Sequence, residues 1–161
     1  MKAKGHKTNA MRLLDTAGLS YRTASYEVDE SDLGGAHVAA VLGQPPEQVF
    51  KTLVLSGERN GYLVCCIPSN CELDLKKVAK VAGDKRVEMI PMKQLLPLTG
   101  YIRGGCSPLG MKKKFPTFID ETAMLFDEIA ISAGERGTQI IMNGEQLASF
   151  IGAPLVDLCA S

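Results

Sequence analysis

No stretch of this chain stays apolar for the ~20 residues that a membrane-spanning helix needs, because every hydrophobic run is short and broken by polar residues. A membrane-spanning protein is not expected. Excess charge is also missing. The 18 basic and 18 acidic residues leave a formal net charge of zero, which argues against a broad basic face for gripping nucleic acid and leaves room for a small or transient footprint. The five cysteines, Cys65, Cys66, Cys71, Cys106 and Cys159, are odd in number and form no Cys-x-x-Cys pair. Neither a disulfide framework nor a usual zinc ligand set is indicated, and they read as reduced thiols. No metal or cofactor is expected. The opening Met1-Lys2-Ala3-Lys4-Gly5-His6-Lys7 is basic but leads into an amphipathic segment instead of the apolar centre of a signal peptide. The expected location is the cytoplasm. Gly-x-Gly-x-x-Gly and Gly-x-Ser-x-Gly are both absent, so neither a dinucleotide fold nor a nucleophile elbow is signalled.

What is present, 161 residues with 45% hydrophobic and 22% charged, fits one globular domain spanning 1–161. Thr8 or Asn9 can cap a helix with apolar positions Ala10, Leu13, Leu14 and Ala17, stopped by Gly18. Tyr21 to Val28 favours a strand, Asp29 to Gly35 a loop, and the next helix carries Val38, Val41 and Leu42 before Pro45-Pro46. Val49 to Ser56 and Tyr62 to Ile67 read as a hairpin of central strands. On the second of these Cys65 and Cys66 point to opposite faces, so both cannot face one core. Asp74 caps a helix Leu75 to Ala82 with Leu75, Val78, Ala79 and Ala82 as its apolar stripe. A strand Arg86 to Met89 follows, then a helical turn opened by Pro91 and ended by Pro97, and a strand Thr99 to Arg103. Thr117 to Asp120, Glu128 to Ser132 and Thr138 to Met142 are three more strands. Asn143 and Gln146 have capping-box spacing before a last helix that buries Leu147, Phe150 and Ile151.

Two stretches carry the chemistry. Val49-Phe50-Lys51-Thr52-Leu53-Val54-Leu55 is an apolar strand with a single lysine. An unpartnered buried ammonium is costly, so Lys51 either guards a sheet edge or reaches water, a carboxylate or a ligand. Gly104-Gly105-Cys106-Ser107-Pro108-Leu109-Gly110 is too glycine-rich for a strand or helix and too apolar for a linker, and reads as a binding loop. Gly105 and Gly110 have P-loop spacing, but Met111 precedes Lys112 where lysine and then serine or threonine are required. Cys106 lacks a base or cationic neighbour in sequence to activate it, which favours a structural role. The loop can instead present backbone N–H groups to an oxyanion. Lys112, Lys113 and Lys114 follow it, as a solvated face or as phosphate contacts. Lysine and loop together point to hydrolysis of an activated ester.

These residues resemble the YbaK-type aminoacyl-tRNA deacylases, related to the editing domain of bacterial prolyl-tRNA synthetases. Val49 to Leu53, Leu73 to Lys80, Lys85 to Met89, Thr99 to Tyr101, Gly104 to Gly110 and Pro116 to Asp120 carry the likeness, which covers nearly the whole chain. The resemblance implies an α+β fold, with a mixed, largely antiparallel sheet curled into a barrel-like core surrounded by helices. It also implies hydrolysis of a wrongly attached amino acid from the 3′ end of tRNA, cysteine on proline tRNA being the best-known substrate. Lys51 matches the family's functional lysine. Tyr26, Thr52, Gly104, Gly105, Ser107, Pro108, Gly110, Ser132, Gly134 and Gln139 are the implied substrate-binding residues. In that family no protein cysteine attacks, and the substrate's own thiol is the implied nucleophile. Prolyl-tRNA synthetase becomes a candidate partner beside the mischarged tRNA. Two departures bear on the amino acid removed: Gln139 stands at an acidic position of the best-known cysteinyl deacylase, and Leu33 or Gly34 lies near an expected aromatic. A deacylase for another small amino acid such as alanine, and a module that only holds a tRNA end or nucleotide, are the alternatives.

Overall fold

The computed structural model describes residues 6–161, and the basic opening from Met1 to Gly5 lies outside them. Helix α1 (Asn9–Ala17) begins where the Thr8 hydroxyl accepts from the Met11 N–H. Its buried face is Ala10, Met11 and Leu14, while Leu13 is exposed, correcting the expected stripe. Strand β1 (Arg22–Ser25) is shorter than expected. Its pairing ends with Ser25 opposite Thr138, and only one more bond, from the Tyr26 N–H to the Gly137 carbonyl, continues it into a turn. Helix α2 (Gly35–Leu42) buries Val38 and Ala39 and leaves Val41 48% exposed, against the expected apolar set.

Strands β2 (Phe50–Gly57) and β3 (Gly61–Pro68) form the expected hairpin, in register from Phe50 opposite Pro68 to Gly57 opposite Gly61. Helix α3 (Leu75–Ala82) is capped by the Asp74 carboxylate, which accepts from the Lys76 and Lys77 N–H groups. Val78 and Ala79 are its buried face, and Leu75 is exposed. Strand β4 (Val87–Met89) leads through a 3₁₀ turn, Met92–Gln94, into helix α4 (Leu95–Thr99). Pro91 precedes that turn as its cap, and Pro97 lies inside α4 instead of ending it. A proline is tolerated there because first-turn N–H groups have no intrahelical acceptor. The expected strand Thr99 to Arg103 does not form. The Thr99 hydroxyl donates back to the Leu95 carbonyl and accepts from the Tyr101 N–H, folding the chain into a turn.

Strand β5 (Thr117–Asp120), β6 (Ile129–Ser132) and β7 (Thr138–Met142) precede helix α5 (Gly144–Ile151) and the short β8 (Leu155–Val156). Asn143 caps α5 by accepting from the Gln146 N–H. Leu147 and Ala148 are buried on α5 and Phe150 is exposed, a further correction to an expected apolar face. The fold is mixed α+β. One sheet has the order β1-β7-β6 and is antiparallel; the other has the order β4-β2-β3-β5-β8, antiparallel through β3 and parallel beyond it. A parallel bridge from Val49 to Ala130 ties the two sheets together.

Strand β3 is buried on both faces. Cys66 packs with Leu14, Phe50 and Ile119, whereas Cys65 packs with Leu55, Val78 and Leu158 in a separate cluster. The alternation expected for neighbouring strand residues therefore holds, and each face of β3 has its own core.

Candidate functional site

One edge of β2 pairs with β3 along its whole length. Its other edge is bridged to β6 at Val49 and meets β4 only from Leu55 onward. The edge-guard reading of Lys51 does not describe a strand held from both sides, but between those two contacts β2 has no strand neighbour on that edge. A cleft of about 460 Å³ opens at this gap. In an antiparallel ladder the N–H and C=O of one residue point to the same side, and the side alternates along the strand. The Val49 carbonyl accepts from the Ser69 N–H at 2.7 Å on the β3 side, and the Val54 carbonyl from the Ile90 N–H at 3.3 Å on the other. The peptide groups of Thr52, two residues before Val54, are thus turned toward the gap.

Tyr26, Lys51, Thr52, Gly104, Ser132 and Gln139 all border this cleft. Lys51 is half-buried, and its Nζ donates to the Ser69 carbonyl at 3.4 Å. Ser69 is fixed in turn by its hydroxyl, which donates to the Pro46 carbonyl at 2.9 Å. Among the described residues, no aspartate or glutamate lines the cleft. The positive charge of Lys51 and of Arg103, also on the wall, is not neutralised there.

Of the glycine loop, only Gly104 and Cys106 reach the cleft. Gly105, Ser107, Pro108, Gly110 and Gly134 do not border it, and the contacts of four of them are structural. A Cβ on Gly105 would lie 3.1 Å from the backbone of Glu135 and Arg136. The Ser107 hydroxyl accepts from the Leu109 N–H at 3.2 Å within the loop. Gly110 is pressed by Asn9 and Tyr101, and Gly134, at φ 99°, by the Tyr101 ring. Tyr101 joins the two loops, since its hydroxyl donates to the Leu109 carbonyl. Arg136 does the same from the other side, its Nε donating to the Arg103 carbonyl at 2.8 Å. These residues shape the wall from behind.

Burial pushes the Cys106 thiol up to about 12, so it is protonated near neutral pH. Ser132 accepts from the Gly134 N–H at 3.1 Å. Gln139 is 5% exposed, and its Oε1 is buried without a hydrogen-bond partner. Leu33 reaches across to within 3.4 Å of the Cβ position of Gly104. Met89, Met92 and Arg103 complete the wall and were not among the expected site residues. Arg103 carried a signal, its place directly before the glycines; the methionines carried none.

Cations and inward peptide groups without a side-chain carboxylate suit a ligand with an anionic oxygen, or an electrophilic carbonyl carbon whose oxygen gains negative charge when it is attacked by water or by a nucleophile of the ligand itself. Residues 35–150 match the aminoacyl-tRNA editing domain, and the chain belongs to that family. It is 44% identical, over 98% of its length and 96% of the relative's, to the Enterococcus faecalis protein named Cys-tRNA(Pro)/Cys-tRNA(Cys) deacylase EbsC. It is 28% identical over 100 residues to a proline-tRNA ligase of Trichlorobacter lovleyi, covering 62% of this chain and 17% of that enzyme. A solved structure described as a trans-editing enzyme for prolyl tRNA synthetase has the same fold, with a TM-score of 0.81 at 23% identity over 93% of this chain and 94% of that one.

Proposed function

We propose that this chain, acting as one editing domain, removes a wrongly attached amino acid from tRNA in trans, with Cys-tRNA(Pro) as the leading substrate. The observation that carries this reading is Lys51, a half-buried cation at a cleft that offers it no carboxylate. Its ammonium is free to stabilise the negative charge that develops when the ester carbonyl is attacked. The inward peptide N–H of Thr52 is a further donor, and one such donor is worth roughly 3 kcal/mol. The scissile bond is the ester C–O bond, and the tRNA 3′-terminal ribose hydroxyl departs carrying a proton. With Cys106 protonated and no side-chain carboxylate lining the cleft, the nucleophile is the substrate's own thiol, in keeping with the resemblance to cysteinyl deacylases: its sulfur bonds to the carbonyl carbon as the C–O bond breaks, its proton leaves on the ribose oxygen, and water then opens the resulting cyclic thioester to free cysteine.

The relatives support this substrate, one by its name and the others by the region of proline-tRNA ligase that they share with this chain. A net charge of zero fits a protein that contacts little beyond the acceptor end and leaves the choice of tRNA to a partner such as prolyl-tRNA synthetase in the cytoplasm. The test is to offer labelled Cys-tRNA(Pro), Ala-tRNA(Pro) and correctly charged Pro-tRNA(Pro) and to measure free amino acid. Release from Cys-tRNA(Pro) alone is expected. Release from Ala-tRNA(Pro) instead would reassign the amino acid, and binding without release from any of them would make the protein a holding module.

A further inference from the structure

Among the described residues, Oε1 of Gln139 is the buried side-chain acceptor that the fold leaves without a hydrogen-bond partner. Gln139 stands on β7 opposite Ser132 of β6 and Ala24 of β1. Its face of the sheet continues into Ala130 and Ile141, which pack with Val38 and Val49 at the apolar inner wall of the cleft. Oε1 accepts nothing, although leaving a buried acceptor unpaired is unfavourable by itself. None of the hydroxyls on the cleft wall bonds to it: Ser69 donates to the Pro46 carbonyl, Thr52 lies 3.7 Å from the Cys66 sulfur, and Ser132 accepts from the Gly134 N–H without donating to Gln139. A polar group kept unpaired at a cleft wall marks a place where a ligand completes the bonding.

We infer that Gln139 reads the α-amino group of the bound aminoacyl ester, an inference that rests on the function proposed above. The tRNA is far too large for the cleft, so the part that reaches Gln139 is the amino acid. Every aminoacyl ester brings an amine with N–H donors in either protonation state. The cleft lining offers that amine no carboxylate; beside the gap-facing Thr52 carbonyl, the acceptor left for it is the Gln139 oxygen, which is buried and has no other bond to make. The terminal amide torsion is broad and soft, and the oxygen can turn to the amine when the ligand enters. A neutral acceptor pairs with the amine without placing an anion beside Lys51 and Arg103, which have to stay uncompensated to meet a developing oxyanion.

Two amide-linked, non-hydrolysable probes test this: 3′-deoxy-3′-(alanylamino)adenosine, and the 3′-(propionylamino) compound that lacks the amine. Wild-type protein is expected to bind the first about tenfold more tightly, the usual scale for one hydrogen bond to a charged donor. Gln139→Met keeps the volume and removes the acceptor. It should abolish that preference, leave binding of the propionyl probe unchanged, and raise the melting temperature by about 3 °C, since an unpaired buried group has gone. Gln139→Glu should widen the preference. A preference that survives in Gln139→Met, or an equal loss for both probes, overturns the inference. Wild-type binding of both probes without discrimination also overturns it and leaves the deacylase reading standing. Failure of wild-type protein to bind either probe removes both.

Discussion

Gly105 lies so close to Arg136 that a Cβ on the glycine would sit 3.1 Å from the Arg136 amide nitrogen. This approach presses the glycine loop against the turn between β6 and β7, so the two walls of the cleft are set by each other. Gly105→Ala has to separate backbone from backbone, with no flexible side chain to give way. We expect a loss of about 1–3 kcal/mol in stability, read from urea unfolding, with a fall in deacylation at temperatures where the variant is still folded. Unchanged stability would show that the loops are not held by this approach.

Lys51→Ala removes the cation without opening the core, because Nζ makes only a long bond to the Ser69 carbonyl. Turnover should fall by about 10²–10³, the scale for losing one oxyanion-stabilising group, while the melting temperature stays close to that of the parent. Normal turnover by a folded Lys51→Ala protein would remove the lysine from the chemistry.

Cys106→Ala should keep activity within about tenfold, a change of roughly 1.4 kcal/mol or less, since a thiol pushed up to about 12 is not the nucleophile. Its burial has a second reading in stability. Cys65, Cys66 and Cys106 are all raised to about 12 by burial, against about 8.5 in an unfolded chain. Their contribution is complete below about pH 8.5 and is lost as pH rises toward 12. Unfolding curves measured from pH 8 to 11 should show this decline, and Cys106→Ala should make it shallower.

Lys112, Lys113 and Lys114 are exposed, and Lys112 lies across Gly100 beside the turn that leads to the glycine loop. Replacing all three with alanine should weaken tRNA binding for every tRNA alike, because phosphate contacts position without reading bases. The log–log salt slope should become shallower by about 0.7–0.9 for each phosphate that the variant no longer neutralises. An unchanged slope would leave the triplet as a solvated surface.

Much of the fold was legible where a local signal decides the outcome. Asp74 marked the start of α3, Asn143 that of α5, and the glycine-bounded turn at residues 57–61 set the β2–β3 register. The misread faces share one cause. Leu13, Val41, Leu75 and Phe150 all fall on helical periods, but a period gives the direction of a buried stripe and not its width, which tertiary neighbours set. Thr99 to Arg103 looked like a strand because its own residues allow one; the Thr99 hydroxyl bonding back to Leu95 prevents it. At the candidate site, Lys51 stood out as a charge in an apolar run, and the glycines as a loop. That Gly105 and Gly110 brace the wall from behind depends on Glu135 and Asn9, brought there from distant parts of the chain, and on Tyr101 folding back over the loop that follows it.

Strand β3 belongs to two cores at once, with Cys65 facing one and Cys66 the other. Neither core can come apart without exposing the strand that lines its neighbour, so the two melt as one cooperative unit. Local openings that release a single face leave the β3 amides paired on both edges, to β2 and to β5. In native-state hydrogen exchange the amides of Val64, Cys65 and Cys66 should therefore be the last to exchange, with opening free energies equal to that of global unfolding. The segment from Met92 to Met111, with its turns and single short helix, should open far earlier. The candidate site thus lies between β2, which pairs along its length with this slow strand, and a wall free to adjust, and a bound aminoacyl group should slow exchange in that wall while leaving β3 unchanged.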